Sequence, residues 1–351
     1  MSIRFSVALG NPPYQVSDGG AGASAAPVYQ YFSKEAAKIA DISCQIQPSR
    51  WMTGGKGLDG YRQEMIHDPH MKLLVDYANS KDVFDNVDIK GGVCVYIRDQ
   101  NYIGDCRCVR NSVDGKTESR RPLCEEGDEI FIREPMLVRI KNKITAADDF
   151  VGMDTRVSAR KPYGLAAETL LNPSKFGLPP FSKEEIPDGY RVLGLGEKQQ
   201  RTWMYLPKDY PIPKKDPGLD KYKVFIAEAY GCGELGEVPS TPVLSTPVLS
   251  TPGELCTETF LQIGPFETKT EAVGCQKYIY TKFFRACVGM CKQTQHATKK
   301  VYKYTPLLDF SSDSDIDWSL PIPEIDKQLY QKYGLDEEEI EFIESHVREM
   351  S

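Results

Sequence analysis

The sequence is poor in the features that mark membrane, secreted or zinc-bearing proteins. No apolar run approaches the ~18–20 residues that a bilayer-spanning helix takes. The N-terminus lacks a basic stretch followed by an apolar one, so no secretory leader is expected. The ten cysteines are scattered, with Cys106-x-Cys108 and Cys287-x-x-x-Cys291 as the close pairs and no Cys-x-x-Cys. The four histidines do not lie near them at ligand spacing, which predicts free thiols in a reducing cytoplasm and no zinc site. A basic excess is also missing. The formal net charge is −7, the wrong sign for a chain that tracks phosphates.

The distribution of charge alters that last point. Residues 304–351 carry 13 acidic and 3 basic side chains, a net of −10, so the rest of the chain is +3. Residues 269–303 alone carry 8 basic and 1 acidic. A basic segment followed by an acidic tail leaves nucleic acid open as a partner for the former and argues against it for the latter.

At 351 residues there is room for two domains. Strand and helix patterns alternate over the first 115 residues. Phe5-Ser6-Val7-Ala8-Leu9-Gly10 reads as a buried strand, residues 28–39 as a helix opened by Pro27, and residues 41–46 as the next strand. Residues 58–77 read as a helix on the spacing of Tyr61, Met65, Met71, Leu74 and Val75. Residues 89–97 read as a strand pair or a bent strand, with Gly91-Gly92 at the bend. Residues 106–110 would be the last strand of the domain, and the polar stretch 111–121 its boundary. The five-residue repeat over residues 240–252, with Pro242, Pro247 and Pro252, predicts an extended surface loop. Residues 270–291 predict a single long helix with Cys275, Ile279, Phe283, Ala286 and Met290 as its apolar stripe. Two shorter acidic helices come after it, the second opened by a capping box at Asp336 and Glu339.

The chemistry concentrates at Asn11-Pro12-Pro13-Tyr14. Two prolines stiffen the backbone and restrict Asn11 before them. The Asn11 side-chain oxygen and the Pro12 carbonyl suit the two N–H groups of an exocyclic amine on a nucleobase. Its lone pair is delocalised into the ring, so two acceptors favour the tetrahedral, nucleophilic form. Tyr14 offers an aromatic face to a base turned out of the duplex. The same four residues also suit a rigid turn with Tyr14 in the core. For phosphate contacts the candidates are Arg50 and Lys56 beside Gly54-Gly55, then Arg160 and Lys161 beside Tyr163. Lys282, Arg285 and Lys292 are further candidates, off the apolar stripe of the long helix, with Lys299 and Lys300 just beyond. A packed Trp51 and solvated charged faces are the alternative readings of these segments.

Residues 5–15 resemble the catalytic motif of adenine-N6 DNA methyltransferases. Pro48-Ser49-Arg50-Trp51, Gly54-Gly55-Lys56-Gly57-Leu58 and Asp88-Ile89-Lys90-Gly91-Gly92-Val93-Cys94 resemble one branch, the Eco57I-like methylases of restriction-modification systems. So do Thr281-Lys282-Phe283-Phe284-Arg285, Thr294-Gln295-His296-Ala297-Thr298 and Leu329-Tyr330-Gln331-Lys332-Tyr333-Gly334-Leu335. The resemblance implies an α/β fold: a partial Rossmann-like methyltransferase sheet (1–115), an α+β target-recognition domain (116–310) and an acidic helical tail (311–351). It implies Asn11, Pro12, Pro13 and Tyr14 as catalytic residues, S-adenosylmethionine as cofactor and double-stranded DNA as substrate. The family's glycine-rich cofactor segment precedes the catalytic motif and has no counterpart here, so a separate chain carrying the cofactor-binding half is an expected partner. Site-specific adenine-N6 methylation is the expected function. A catalytically inactive DNA-binding remnant or specificity subunit is the alternative, and no nuclease constellation is evident.

Overall fold

A computed structural model describes residues 4–16, 26–52, 57–87, 89, 91–112, 115–125, 127–216, 218–231, 235, 246–292 and 295–350. The chain divides into two compact units, Met1–Pro135 and Met136–Ser351.

The first unit is built on a six-stranded sheet. Its strands are β1 (Phe5–Gly10), β2 (Ala40–Pro48), β3 (Met71–Tyr77), β4 (Val93–Asp99), β5 (Cys106–Ser112) and β6 (Gly115–Arg121). Their order is β1-β2-β4-β3-β5-β6. β1 runs parallel to β2 and β3 parallel to β5, while the other pairs are antiparallel. Strand alternation gives the sheet two unlike faces. Ser43, Gln45 and Gln47 point to one of them, where helices α1 (Tyr29–Ile39) and α2 (Asp59–Ile66) pack. Ser33 Oγ and Tyr61 Oη both donate to Gln47 Oε1 at 2.9 Å. The core on this side contains Tyr29, Trp51, Tyr61, Met65, Leu74 and Tyr96. On the other face Ile42, Cys44, Ile46, Leu73, Val75, Val95 and Ile97 are only half buried. In the β1–β2 register, Val7 and Leu9 lie beside Ile42 and Cys44.

Several expected elements differ. Residues 58–77 are a helix and then a strand, because Pro69 cannot continue a helix and pushes Asp68 toward extended backbone. The apolar spacing of Met71, Leu74 and Val75 fits either period over so short a run. Residues 111–121 are not a bare boundary. They end β5 and form β6, and the first unit continues past residue 115 to Pro135. Gly91 and Gly92 both take positive φ in a turn before β4, and a Cβ on Gly92 would strike the carbonyls of Tyr77 and Ala78.

One buried ion pair holds this turn and the segment after β6 to the sheet. Arg133 makes two 2.6 Å bonds to the Asp76 carboxylate and donates to the Gly91 carbonyl at 2.9 Å, while Ser49 Oγ donates to Asp76 at 2.8 Å. Removing one partner from such a pair strands a buried charge. Arg133→Met is therefore expected to cost about 3–5 kcal/mol, read as a lower urea midpoint with an unchanged slope.

The second unit contains two three-stranded sheets. One is ordered β10-β9-β12, with β9 Tyr222–Ala227, β10 Val248–Ser250 and β12 Phe260–Phe266. The other is ordered β11-β7-β8, with β7 Tyr190–Leu195, β8 Arg201–Leu206 and β11 Glu254–Cys256. Helix α3 (Pro135–Thr145) opens the unit, and four others, α4 (Lys269–Tyr280), α5 (Lys282–Cys291), α6 (Ile322–Lys332) and α7 (Glu337–His346), stand toward its end. Residues 240–245 of the proline repeat lie outside the described residues. The last part of the repeat is not all loop, since Val248, Leu249 and Ser250 form the edge strand β10 between Pro247 and Pro252.

The expected helix over 270–291 is two helices broken at Thr281, whose backbone is extended. Thr281 Oγ1 accepts from the Phe284 amide at 3.1 Å. The Asp326 carboxylate of α6 accepts from the Lys282 and Phe283 amides at 3.0 and 2.9 Å. Two caps from different parts of the chain thus satisfy the new N-terminus. The apolar stripe survives the break: Cys275, Ile279, Phe283, Ala286 and Met290 are all buried. The tail is part of the same unit. The Asp336–Glu339 capping box forms as expected. Arg139 and Lys143 of α3 pair with Asp336 and Glu339, and Arg139 also pairs with Glu338.

Lys223 is fully buried, with Nζ donating to the carbonyls of Lys221 at 3.0 Å and Leu219 at 3.3 Å. Desolvation brings its pKa down to about 8 from an ordinary 10.5. Between those two values the folded chain holds fewer protons than the unfolded one, so this group makes stability rise with pH over that window. A Lys223→Met variant is expected to show a flatter rise of thermal midpoint from pH 8 to 10.

Candidate active site

β1 delivers Asn11-Pro12-Pro13-Tyr14 at its carboxyl end, beside the parallel strand β2, where open α/β sheets place their sites. Asn11 is exposed, Pro12 buried, Pro13 exposed and Tyr14 half buried. The turn is tied to the start of α1: the Val28 amide donates to the Tyr14 carbonyl at 3.3 Å, the Val16 amide to the Ala26 carbonyl at 3.1 Å, and Gln15 bridges Pro27. Residues 17–25 of the expected glycine-rich loop lie outside the described residues. At the strand exit Gly10 packs closely on Gln45, whose side-chain amide would have to move to admit a Cβ.

Beneath the turn the surroundings are aromatic and apolar. Burial, with the Cys94 thiol as a smaller cause, pushes the Tyr14 phenol up to about 12. Burial raises Tyr29 further, with Arg50 opposing it. It lifts Cys94 itself to about 12, against a hydrogen bond from Trp51 Nε1 at 3.3 Å. Tyr14, Tyr29 and Cys94 are therefore neutral at physiological pH, and none is a proton acceptor there. Tyr14 Oη and Tyr29 Oη are buried without hydrogen-bond partners among the described residues, as are Ser43 Oγ and Gln47 Nε2. Buried polar atoms left unpaired are uncommon and call for a catalytic, strain or solvent role. Sequence reading singled out Tyr14 but not Tyr29 or Cys94. Tyr29 had a signal, as the first residue of a helix anchored directly to the turn.

The turn thus presents one exposed amide oxygen on a stiff backbone, above a neutral aromatic floor. Such an arrangement can accept hydrogen bonds and offer an aromatic face to a planar ring. Among the described residues, the neighbouring end of β2, residues 44–48, offers the ammonium of S-adenosylmethionine no carboxylate: it carries Cys44, Gln45, Ile46, Gln47 and Pro48. The carboxylate on β2, Asp41, lies at the other end, bound to Arg4 at 2.5 Å.

The structure scatters the expected phosphate contacts. Lys56 lies outside the described residues. Arg50 is half buried in the short 3-10 helix Ser49–Met52, and its neighbour Trp51 is fully buried in the core. Arg160 and Lys161 are exposed and share Glu258, at 3.3 and 3.2 Å. Lys282 pairs with Glu344 of α7 at 2.6 Å. Arg285 and Lys292 correct the expected phosphate-tracking face: they are 6% and 3% exposed. Lys292 donates to the Tyr230 carbonyl at 2.9 Å and stands 4.3 Å from the centre of that ring. The reason is the break at Thr281, after which α5 is buried on nearly all sides. Lys299 and Lys300 remain exposed on the 3-10 helix Lys299–Tyr302.

Residues 1–84 match the family model described as Eco57I restriction-modification methylase. An uncharacterised adenine-specific methylase of Mycoplasma pneumoniae is 32% identical over 106 residues, 29% of this chain and 25% of that protein. The match therefore spans about a quarter of that relative's length. Among solved structures, the type IIL restriction-modification enzyme MmeI in complex with DNA is similar over 97% of this chain and 56% of that one, with 10% identity and a TM-score of 0.48. The type IIG restriction endonuclease BpuSI is similar over 95% of this chain and 49% of that one, with 12% identity and a TM-score of 0.38. The expected resemblance to Eco57I-type methylases holds over the N-terminal stretch, within a mixed α/β structure. No described helix is long and apolar enough to cross a membrane.

Proposed function

We propose that this chain serves in site-specific adenine-N6 methylation of DNA within a restriction-modification system. Its first unit supplies the turn that grips the target amine, and its second unit supplies DNA recognition. The observation that carries this reading is the exposed Asn11 held on a stiff proline turn at the carboxyl end of a parallel strand, in the stretch that matches the methylase family.

Asn11 Oδ1 and the Pro12 carbonyl accept the two N–H groups of an adenine amine turned out of the duplex. Pro13 fixes the turn, and the Tyr14 ring lies against the base. Binding both N–H groups draws the nitrogen lone pair out of conjugation and orients it, so the residues act by position and electrostatics with no covalent enzyme intermediate. The methyl donor is S-adenosylmethionine, held mainly by a cofactor-binding segment outside this chain that seats on the β1 edge.

Calorimetry of the chain with S-adenosylmethionine is expected to show little or no heat. Adding the cofactor-binding segment is expected to restore both binding and transfer of labelled methyl to duplex DNA. A tight one-to-one complex with the chain alone overturns the split-site reading. Labelled cytosine in place of adenine overturns the substrate.

A further inference from the structure

At the end of β9 the chain continues to Tyr230 and pairs with residues 295–297. The Tyr230 amide donates to the Gln295 carbonyl at 2.8 Å, the Ala297 amide to the Glu228 carbonyl at 2.7 Å, and Ala229 bridges His296. Ala297 is fully buried and Glu228 is 6% exposed, while Gln295 and His296 are exposed between them. Both oxygens of the Glu228 carboxylate stand 3.2 Å from His296 Nδ1. Gln295 Nε2 lies 3.4 Å from His296 Nε2. Nδ1 of the imidazole thus faces the Glu228 carboxylate and Nε2 faces the side-chain amide of Gln295.

Taking a carboxylate out of water is costly, and here the group it meets is an exposed imidazole. The arrangement fixes an outward-facing pair of polar side chains on a backbone clamped from both sides. Their ordering cost is met before any ligand arrives, which is what recognition by hydrogen bonds requires. Three residues further on, Lys299 and Lys300 are exposed on a short helix anchored by the buried Val301 and Tyr302. One exposed strip thus combines a glutamine amide, an oriented imidazole and two ammonium groups. A glutamine amide matches the hydrogen-bonding edge of adenine in the major groove, and ammonium groups match flanking phosphates.

We propose that Gln295 and His296 read base edges in the recognition site, with Glu228 as the positioning residue behind His296 and Lys299 and Lys300 on the adjoining phosphates. This rests on the DNA-recognition role given to the second unit.

The test selects bound duplexes from a random pool with the full-length chain and its variants. The wild type is expected to enrich a defined site. Gln295→Ala and His296→Ala are expected to lose preference about tenfold or more at one or two adjacent base pairs, with affinity for unrelated DNA unchanged. The thermal midpoint should hold for Gln295→Ala and fall for His296→Ala, which leaves the buried Glu228 carboxylate without its imidazole. Glu228→Gln should broaden the same positions less. Lys299→Ala and Lys300→Ala should weaken all sequences alike and lower the salt slope by about one each. If the histidine and glutamine variants enrich the same site with the same preference, or lose affinity equally for every sequence, the inference is overturned while the DNA-binding reading stands. If the wild type binds duplex with no preference, or not at all, the recognition role falls and the inference with it.

Discussion

Asn11→Ala is expected to slow methyl transfer to DNA by about 10²–10³-fold, the loss usual for removing one aligned hydrogen-bonding group from a developing charge. Affinity for DNA and stability should hardly change. Asn11 is exposed, so its truncation belongs with surface changes of about 0.5 kcal/mol or less. The neighbouring positions separate geometry from chemistry. Pro12→Ala keeps the carbonyl acceptor but frees the backbone that aims it, and Pro12 is buried, so both rate and stability should fall. Tyr14→Phe removes a hydroxyl that is buried without a partner among the described residues, and it is expected to keep most of the rate, because the ring face is what meets the base. The reaction is read as labelled methyl on adenine, with the chain supplemented by its cofactor-binding segment. An unchanged rate for Asn11→Ala would remove the amine-cradle mechanism outright, whatever the family match.

The strand and turn that carry the candidate site were far more legible in the sequence than the surface around them. A strand running into Asn-Pro-Pro-Tyr is a local statement, because proline geometry and strand alternation act within a few residues. β1, α1 and β2 accordingly fall where periodicity and Pro27 put them, although β1, expected as a buried strand, is an exposed edge strand. The errors arose where distant residues decide. The break at Thr281 depends on Asp326, more than forty positions later, whose carboxylate caps the new helix. That break turned Arg285 and Lys292 inward, out of the phosphate-facing surface that an unbroken helix would present. Likewise 58–77 satisfied a helical period by apolar count alone, and Pro69 was the signal that outweighed it. The charge of the acidic tail left solvent exposure and docking on a basic surface of the same protein both open, and Arg139, Lys143 and Lys282 are among the basic groups it meets. The Glu228–His296 contact joins positions 68 apart and had no local mark at all.

The two edges of the six-stranded sheet make the case for a covering segment. β6 reads Gly-Lys-Thr-Glu-Ser-Arg-Arg, and its exposed charges discourage another strand from pairing there. β1 reads Phe-Ser-Val-Ala-Leu-Gly, with no charge, no proline and no bulge, and it exposes Phe5 by 55%, Val7 by 49% and Leu9 by 78%. Tyr31 and Phe32 of α1 are exposed by 63% and 49%. An unguarded apolar edge left in water invites aggregation. In the proposed function the occupant of this edge is a strand-bearing, S-adenosylmethionine-binding segment, which would also bring the methyl donor to the carboxyl end of β1 beside Asn11. Leu9→Lys is expected to leave the urea midpoint of the chain unchanged. It is expected to weaken association with that segment by about 10–100-fold, the worth of burying one leucine, with methyl transfer falling in step. Sedimentation separates the outcomes. A wild-type chain that dimerises alone, and that Leu9→Lys returns to monomer, would make β1 a contact between copies and leave the cofactor without its proposed seat. A lysine that destabilises the isolated chain would mean that the edge is already covered from within.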